Sequence, residues 1–286
     1  MQRTFNSNLI TVLLLPFFFG GCASVLVTPL LEPLSLSLQQ QQDIALLKDG
    51  APTLLLMIDG FIATYPENEK LVLDGTRAYS AYASALAEFG EMERAVMISG
   101  RAKEYGLKLL SRYPAVKNSL SSPIDKLEKS LQTVKKDGID YLFWGAYGWA
   151  TWISLQNGSP AAVADLPRVE KIMLRVLELD DAYYYGAPHV FLGYYYGSIP
   201  VMLGGKPEAS RRHFDKALKI SDHNFLSAQV AYAESYARLQ FDRDLFLGLL
   251  NEVLTTPADA VTELTASNQL AKKRARKLLK NIDTYF

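Results

Sequence analysis

Two stretches of the sequence combine aromatic rings with polar groups, a composition typical of small-molecule sites. The first, DYLFWGAYGWATWISL at residues 140–155, holds all three tryptophans of the 286-residue chain. The second, YYYGAPHVFLGYYYGS at residues 183–198, holds six tyrosines and one of the three histidines. On helices, these rings either fill a core or line a mainly apolar cavity, and the sequence leaves both alternatives open.

We expect the lining of a site for a hydrophobic or amphipathic small molecule to be drawn from these two stretches. Gly145 and Gly148 would let a neighbouring helix or a ligand approach the first stretch closely. His189 opens a predicted helix, where a histidine either makes structural hydrogen bonds or contacts a ligand. The candidate lining residues are Tyr141, Trp144, Tyr147, Trp152, Tyr185, His189, Tyr195 and Tyr196.

The N-terminus predicts export and lipid attachment. A basic residue precedes the apolar run LITVLLLPFFF, which is too short to span a membrane, and FGG then leads into Cys22, as in a bacterial lipobox. We therefore predict a signal peptide at 1–21, a diacylglycerol on Cys22 and a tether at 22–38. Ala23 and Ser24 lack a retention aspartate, which favours the periplasmic leaflet of the outer membrane.

The remaining composition predicts neither an enzyme nor a bound cofactor. Three histidines and a single, lipidated cysteine argue against a metal centre, and no nucleotide loop, hydrolase elbow or zinc-helix motif occurs. Glu234 and Ser235 resemble the acid-bearing pair of peptidoglycan lytic enzymes, but the companion segments of those enzymes are missing. Export and the balance of 30 basic against 30 acidic residues argue against nucleic acid, so the basic last helix is expected to be a solvated face.

The elements that carry these residues are predicted to be helices throughout. Apolar residues recur three and four positions apart, no stretch alternates with period two, and turn residues separate the segments. We predict an all-α domain at 39–286 with about 11–12 helices, among them 139–156, 188–202 and a helix opened by Pro52. Short connections favour antiparallel helix pairs in a compact solenoid.

One pair of helices resembles a degenerate tetratricopeptide repeat. Leu192-Gly193 and Tyr196 resemble its first helix, and Ser210, Phe214 and Ala217 resemble its second helix, although IPVMLGGKP is inserted between them. The sequence therefore predicts a tetratricopeptide-like solenoid with irregular repeats.

The order of several segments is similar to the T-component family of TRAP transporters. The resemblance rests on GAPTLLLMIDGFIATYPEN, TRAYSAYASALAE, YLFWGAYGWATWI, YGAPHVFLGYYYGSIPVMLGGKPEASRRHFDKALKI and AESYARLQFDRDLFLGLLNEVL, and covers about residues 45–281. It implies a non-enzymatic periplasmic lipoprotein that associates with the substrate-binding P component of a tripartite transporter. It also implies a homotrimer and a channel or pocket suited to an apolar ligand. The competing hypothesis is a structural scaffold lipoprotein in envelope assembly, with every aromatic side chain in the core.

Overall fold

The computed structural model describes residues 33–286, so Cys22 and the predicted signal peptide lie outside the described residues. Residues 33–39 form a short helical segment within the predicted tether. The first six helices that follow are α1 (Ile44–Thr64), α2 (Glu69–Glu88), α3 (Met92–Leu110), α4 (Pro114–Lys117), α5 (Ile124–Leu131) and α6 (Ile139–Ser154). The next seven are α7 (Pro160–Val163), α8 (Leu166–Leu179), α9 (Tyr183–Ser198), α10 (Pro207–Ile220), α11 (Leu226–Tyr232), α12 (Arg243–Thr255) and α13 (Thr265–Lys280).

The structure confirms the predicted all-α, solenoid-like fold, with no strand among residues 33–286. Local chemistry sets several boundaries. The Asp43 carboxylate accepts from the first amides of α1, and the Asn68 side chain caps α2 in the same way. Proline occupies the first turn of α10, where its missing N–H removes no helical hydrogen bond.

The first helix differs from its prediction. Pro52 was expected to open a helix, but α1 begins at Ile44 and continues through Pro52. Proline inside a helix removes one hydrogen bond and usually bends or ends it. Here Leu55, Ile58 and Ile62 are buried after the proline, so packing on α2 holds the second half of the helix in line.

Helices that follow one another pack together, and the end of the chain returns to its start. The most extensive contacts join α2 to α3, α3 to α6 and α9 to α10, while α13 also touches α1 and α2. Two buried apolar clusters result, one spanning α1 to α9 and one spanning α10 to α13. Residues 33–286 therefore contain a complete core of their own.

The structure resolves the two alternatives for the glycines of α6. A Cβ built on Gly148 would lie 2.5 Å from the Ala102 carbonyl oxygen, and one on Gly145 would lie 2.9 Å from the Gly106 oxygen. Both contacts are to the backbone of α3. The glycines thus serve a close helix-to-helix approach, which fixes α6 and the aromatic side chains that it carries.

No helix within residues 33–286 is both long enough and apolar enough to cross a membrane.

Candidate ligand-binding site

A connected group of aromatic rings lies between α6, the start of α9 and the segment before α11. The ring of Tyr184 lies 4.9 Å from that of Trp144 and 5.7 Å from that of Phe143, and Trp144 lies 5.4 Å from Tyr147. These separations are typical of favourable edge-to-face and tilted pairs. The group, called the aromatic cluster below, consists of Phe143, Trp144, Tyr147, Tyr183, Tyr184, Tyr185 and Phe225.

An unusual backbone places Tyr184 in the cluster. Tyr184, Tyr185 and Gly186 have φ values of 44°, 57° and 79°, so three consecutive residues lie in the left-handed region at the start of α9. Bulky side chains rarely adopt this conformation, and such strain is concentrated at functional sites. The turn directs the two tyrosines toward α6 and Phe225, and Gly186 packs closely on α10.

Tyr147 and Tyr184 combine a partly exposed ring with a hydroxyl that has no partner among the described residues. Tyr147 and Tyr184 are each only partly buried, yet burial raises the pKa of both phenols, that of Tyr184 to about 12. Their hydroxyls make no hydrogen bond to any residue from 33 to 286. A partly exposed phenol with no protein partner can hydrogen-bond to a ligand while its ring contacts apolar ligand surface.

The cluster has polar groups at its edge. The Arg77 guanidinium carbon lies 4.5 Å from the centre of the Trp144 ring, in cation–π geometry. Both Arg77 Nε and Trp144 Nε1 are buried with no hydrogen-bond partner among the described residues. Tyr183 donates to Asp140, and this contact and burial raise the pKa of the Tyr183 phenol. Both donors are covered by protein in this structure, so a ligand atom reaches them only if the neighbouring rings move.

Two of the candidates outside the aromatic cluster, Tyr141 and Trp152, lie where α6 meets Lys103 of α3 and Arg112 of the turn after α3. The Lys103 ammonium lies 3.5 Å from the centre of the Trp152 ring, and the Arg112 guanidinium lies 4.5 Å from that of Tyr141. A nearby third contact joins the Trp149 indole N–H to Asp165 at 3.0 Å. These contacts pack α6 against its neighbours, so they hold the helix in place.

Tyr195 and Tyr196 lie further along α9, also outside the aromatic cluster. The Tyr196 hydroxyl donates to Glu170 Oε1 at 2.6 Å, and burial together with this bond raises the pKa of the phenol. The Tyr195 ring stacks on that of Phe191, with ring centres 6.2 Å apart. The Tyr196 bond connects α9 to α8 and satisfies the buried phenol, whereas the Tyr195 contact lies within α9.

His189 is held in a chain of hydrogen bonds between α9 and α10. Its Nδ1 lies 2.8 Å from His213 Nδ1, and its Nε2 lies 3.0 Å from Asp181, which also pairs with Lys216 at 2.7 Å. Burial lowers the pKa of His189, and burial together with His189 lowers that of His213 to about 4. Both imidazoles are therefore neutral near pH 7, and one donates to the other. His213 is itself partly buried in this pairing.

Of the eight candidates, the structure brings Trp144, Tyr147 and Tyr185 together and places the other five elsewhere. Phe143, Tyr183, Tyr184 and Phe225 of the cluster, and Arg77 at its edge, were not among the eight candidates. The sequence did contain one signal for Tyr184, because a glycine two residues before Pro188 marks a turn ahead of the predicted helix. It contained none for Arg77, which comes from the separate helix α2.

Two surface pockets lie away from the eight candidates. A groove of about 330 Å³ between α5 and α8 has a leucine floor and a rim that includes Lys171, Arg175, Glu128 and Glu178, and those charges pair with groups at the rim. A second pocket, of about 380 Å³, is lined by the turn at residues 65–68. Neither provides the desolvated aromatic surface of the cluster.

Glu234, weighed above as a catalytic acid, has a structural partner. Its Oε1 accepts from Arg274 Nε at 3.2 Å, and Arg274 also lies 3.7 Å from Glu88. The pairing joins α13 to α2 and to the π-helical turn that follows α11. Within the described chain, no group of three or more histidine, cysteine, aspartate or glutamate side chains could hold a metal ion.

Comparison with known protein families gives one match over most of the chain. A family model described as TRAP transporter T-component matches residues 40–286, which include the aromatic cluster and all thirteen helices. No curated protein sequence matches the chain.

Proposed function

The chain belongs to the T-component family of TRAP transporters, and on that premise we propose that it docks the substrate-binding P component and holds a hydrophobic or amphipathic small molecule in the aromatic cluster. The family is one of accessory transport proteins. The observation that carries the ligand proposal is the edge of the aromatic cluster, where the partly exposed rings of Tyr147 and Tyr184 lie against Trp144 and the left-handed turn holds Tyr184 in place.

The proposed site works by shape and exclusion of water. Burying apolar ligand surface against the partly exposed rings of Tyr147, Tyr184 and Tyr185 contributes about 25 cal/mol per Å². The partly exposed Arg77 side chain and the hydroxyls of Tyr147 and Tyr184 orient the polar end of an amphipathic ligand. Such binding requires no covalent step, in keeping with an accessory role.

Two tryptophan variants of the same helix test the ligand site. Trp144→Ala removes a ring from the aromatic cluster, and Trp152→Ala removes one that packs on Lys103 outside it. We expect Trp144→Ala to weaken binding of a co-purified ligand at least tenfold and Trp152→Ala to leave it within about twofold. Full affinity in a folded Trp144→Ala protein would refute the site.

The partner proposal requires a direct complex with the P component of the same transport system. Size-exclusion chromatography coupled to light scattering, with both purified proteins, measures whether the complex forms. We expect a defined stoichiometry and a complex that persists at physiological salt. A partner that is instead an outer-membrane assembly protein, with no binding of the P component, would favour the scaffold hypothesis.

We further propose that the protein is a homotrimeric periplasmic lipoprotein anchored to the outer membrane through Cys22. Palmitate labelling of the expressed protein and of Cys22→Ser, followed by separation of the two membranes, tests the anchor and its location. Sedimentation velocity on residues 33–286 tests the trimer. A soluble wild-type protein would refute the anchor, and a monomer at micromolar concentration would refute the trimer.

A further inference from the structure

Helix α1 presents an unusually apolar surface to solvent. Its exposed residues, called the α1 outer face below, are Ala45, Leu46, Asp49, Gly50, Thr53, Leu56, Met57, Gly60, Ala63 and Thr64. At 100° per residue they fall within one sector of about 140°. Leu46 is 58 % exposed, Leu56 73 % and Met57 41 %, and Asp49 is the single charged member of the face.

No described part of the chain covers this face. The opposite side of α1 buries Leu55, Ile58 and Ile62 on α2. A Cβ built on Gly50 or Gly60 of the outer face would meet no atom within 4 Å. Leu46, Leu56 and Met57 share this face over about three helical turns, with small residues between them, and exposed apolar surface of this kind is typical of an interaction surface.

The position of this face along the chain indicates what it contacts. Ten residues separate Cys22 from Pro33, so an anchor at Cys22 holds the described domain within about 35 Å of the bilayer, at 3.3–3.6 Å per residue. The first described segment, residues 33–39, also exposes Leu34 and Leu36. The apolar surface is therefore continuous in sequence with the end of the molecule that faces the membrane.

We propose that the α1 outer face lies on the bilayer, with Leu46, Leu56 and Met57 inserted at the boundary between headgroups and acyl chains. A helix with one charged residue on its exposed sector can lie in that interface, where separated leucines need no complementary protein surface. The contact orients the aromatic cluster relative to the membrane. The proposal rests on the proposed anchor at Cys22 in one respect, which is the choice of the side of the domain that faces the bilayer.

The test uses residues 33–286, which contain a complete core and no cysteine. An N-terminal hexahistidine tag binds the protein to vesicles of phosphatidylethanolamine and phosphatidylglycerol, 3:1, with a small fraction of nickel-chelating lipid. Because this lipid replaces the one predicted at Cys22, the result does not depend on whether Cys22 is acylated. The variants Leu56→Cys and Met202→Cys each carry one bimane label, and Met202, in the turn after α9, is the matched apolar control at 90 % exposure.

Nitroxide-labelled lipids should quench the label at position 56 at least threefold more than the label at position 202. Equal quenching at the two positions, or none at either, would overturn the proposal. A second copy of the chain is the competing occupant of the face. Sedimentation velocity of the double variant Leu56→Ser and Met57→Ser, without lipid, tests it: an unchanged oligomeric state supports the bilayer, and dissociation of a wild-type oligomer overturns it.

Discussion

Replacing Gly148 with alanine should destabilise the protein by a calculable amount. The new Cβ would lie 2.5 Å from the Ala102 carbonyl oxygen and 2.9 Å from Thr76 Cγ2, so the first contact is roughly 0.9 Å shorter than an ordinary 3.4 Å contact. Its main obstacle is the backbone of α3, which cannot rotate away as a side chain can. Overpacking of this kind costs about 1–3 kcal/mol, and we expect the upper end.

Alanine is more favourable than glycine inside a helix by about 1 kcal/mol, so the net loss in the free energy of unfolding should be about 2 kcal/mol. For a domain of this size each kcal/mol lowers Tm by about 2–4 °C, which gives an expected drop of about 4–8 °C by scanning calorimetry. Gly100→Ala is the control, because its Cβ would meet nothing within 4 Å. That variant should raise Tm by about 2–4 °C. A Gly148→Ala protein as stable as the control would refute the close approach of α3 and α6.

Three further substitutions test other parts of the structure. The folded-state pKa of His213 is lowered to about 4, so its contribution to stability is complete above its ordinary pKa of 6.5 and is lost as pH falls through about 4. Between pH 6.5 and pH 4 the Tm of His213→Gln should therefore fall less than the Tm of the wild-type protein. An equal fall in the two proteins would contradict this. Arg274→Met removes the cation that joins α13 to α2 and should cost about 2 kcal/mol in urea unfolding, with the exposed Arg276→Met near zero. Gly186→Ala forces a side chain into a left-handed position against α10 and should lower Tm by several degrees; an unchanged Tm would show that the turn is not strained.

The helices were predictable wherever the local sequence determines them. For α6 the predicted range was 139–156 and the structure gives Ile139–Ser154, because a helix that is apolar on all sides, with a turn after it, has few alternatives. Proline caused the main error. Pro52 was expected to start a helix, because proline is favoured in the first helical turn and disfavoured inside a helix. The packing of α1 on α2 nevertheless keeps the helix continuous through Pro52.

The membership of the aromatic cluster was less predictable than the helices that carry it. Helical spacing shows which residues share a face, but which neighbour covers that face depends on the whole fold. Trp144 and Trp152 lie on the same helix, yet Trp152 packs on Lys103 and Trp144 on Tyr184. The left-handed turn at Tyr184 and the placement of Arg77 are tertiary features, and no periodicity in the sequence encodes them.

Native mass spectrometry most directly tests the central claim, that this T component holds a small molecule in the aromatic cluster. Residues 33–286 would be sprayed gently after purification, beside the Trp144→Ala and Trp152→Ala variants. We predict additional small-molecule mass on the wild-type protein and on Trp152→Ala, and its loss from Trp144→Ala. A wild-type protein that stays free of added mass after incubation with periplasmic extract, or equal retention by all three proteins, would contradict the account.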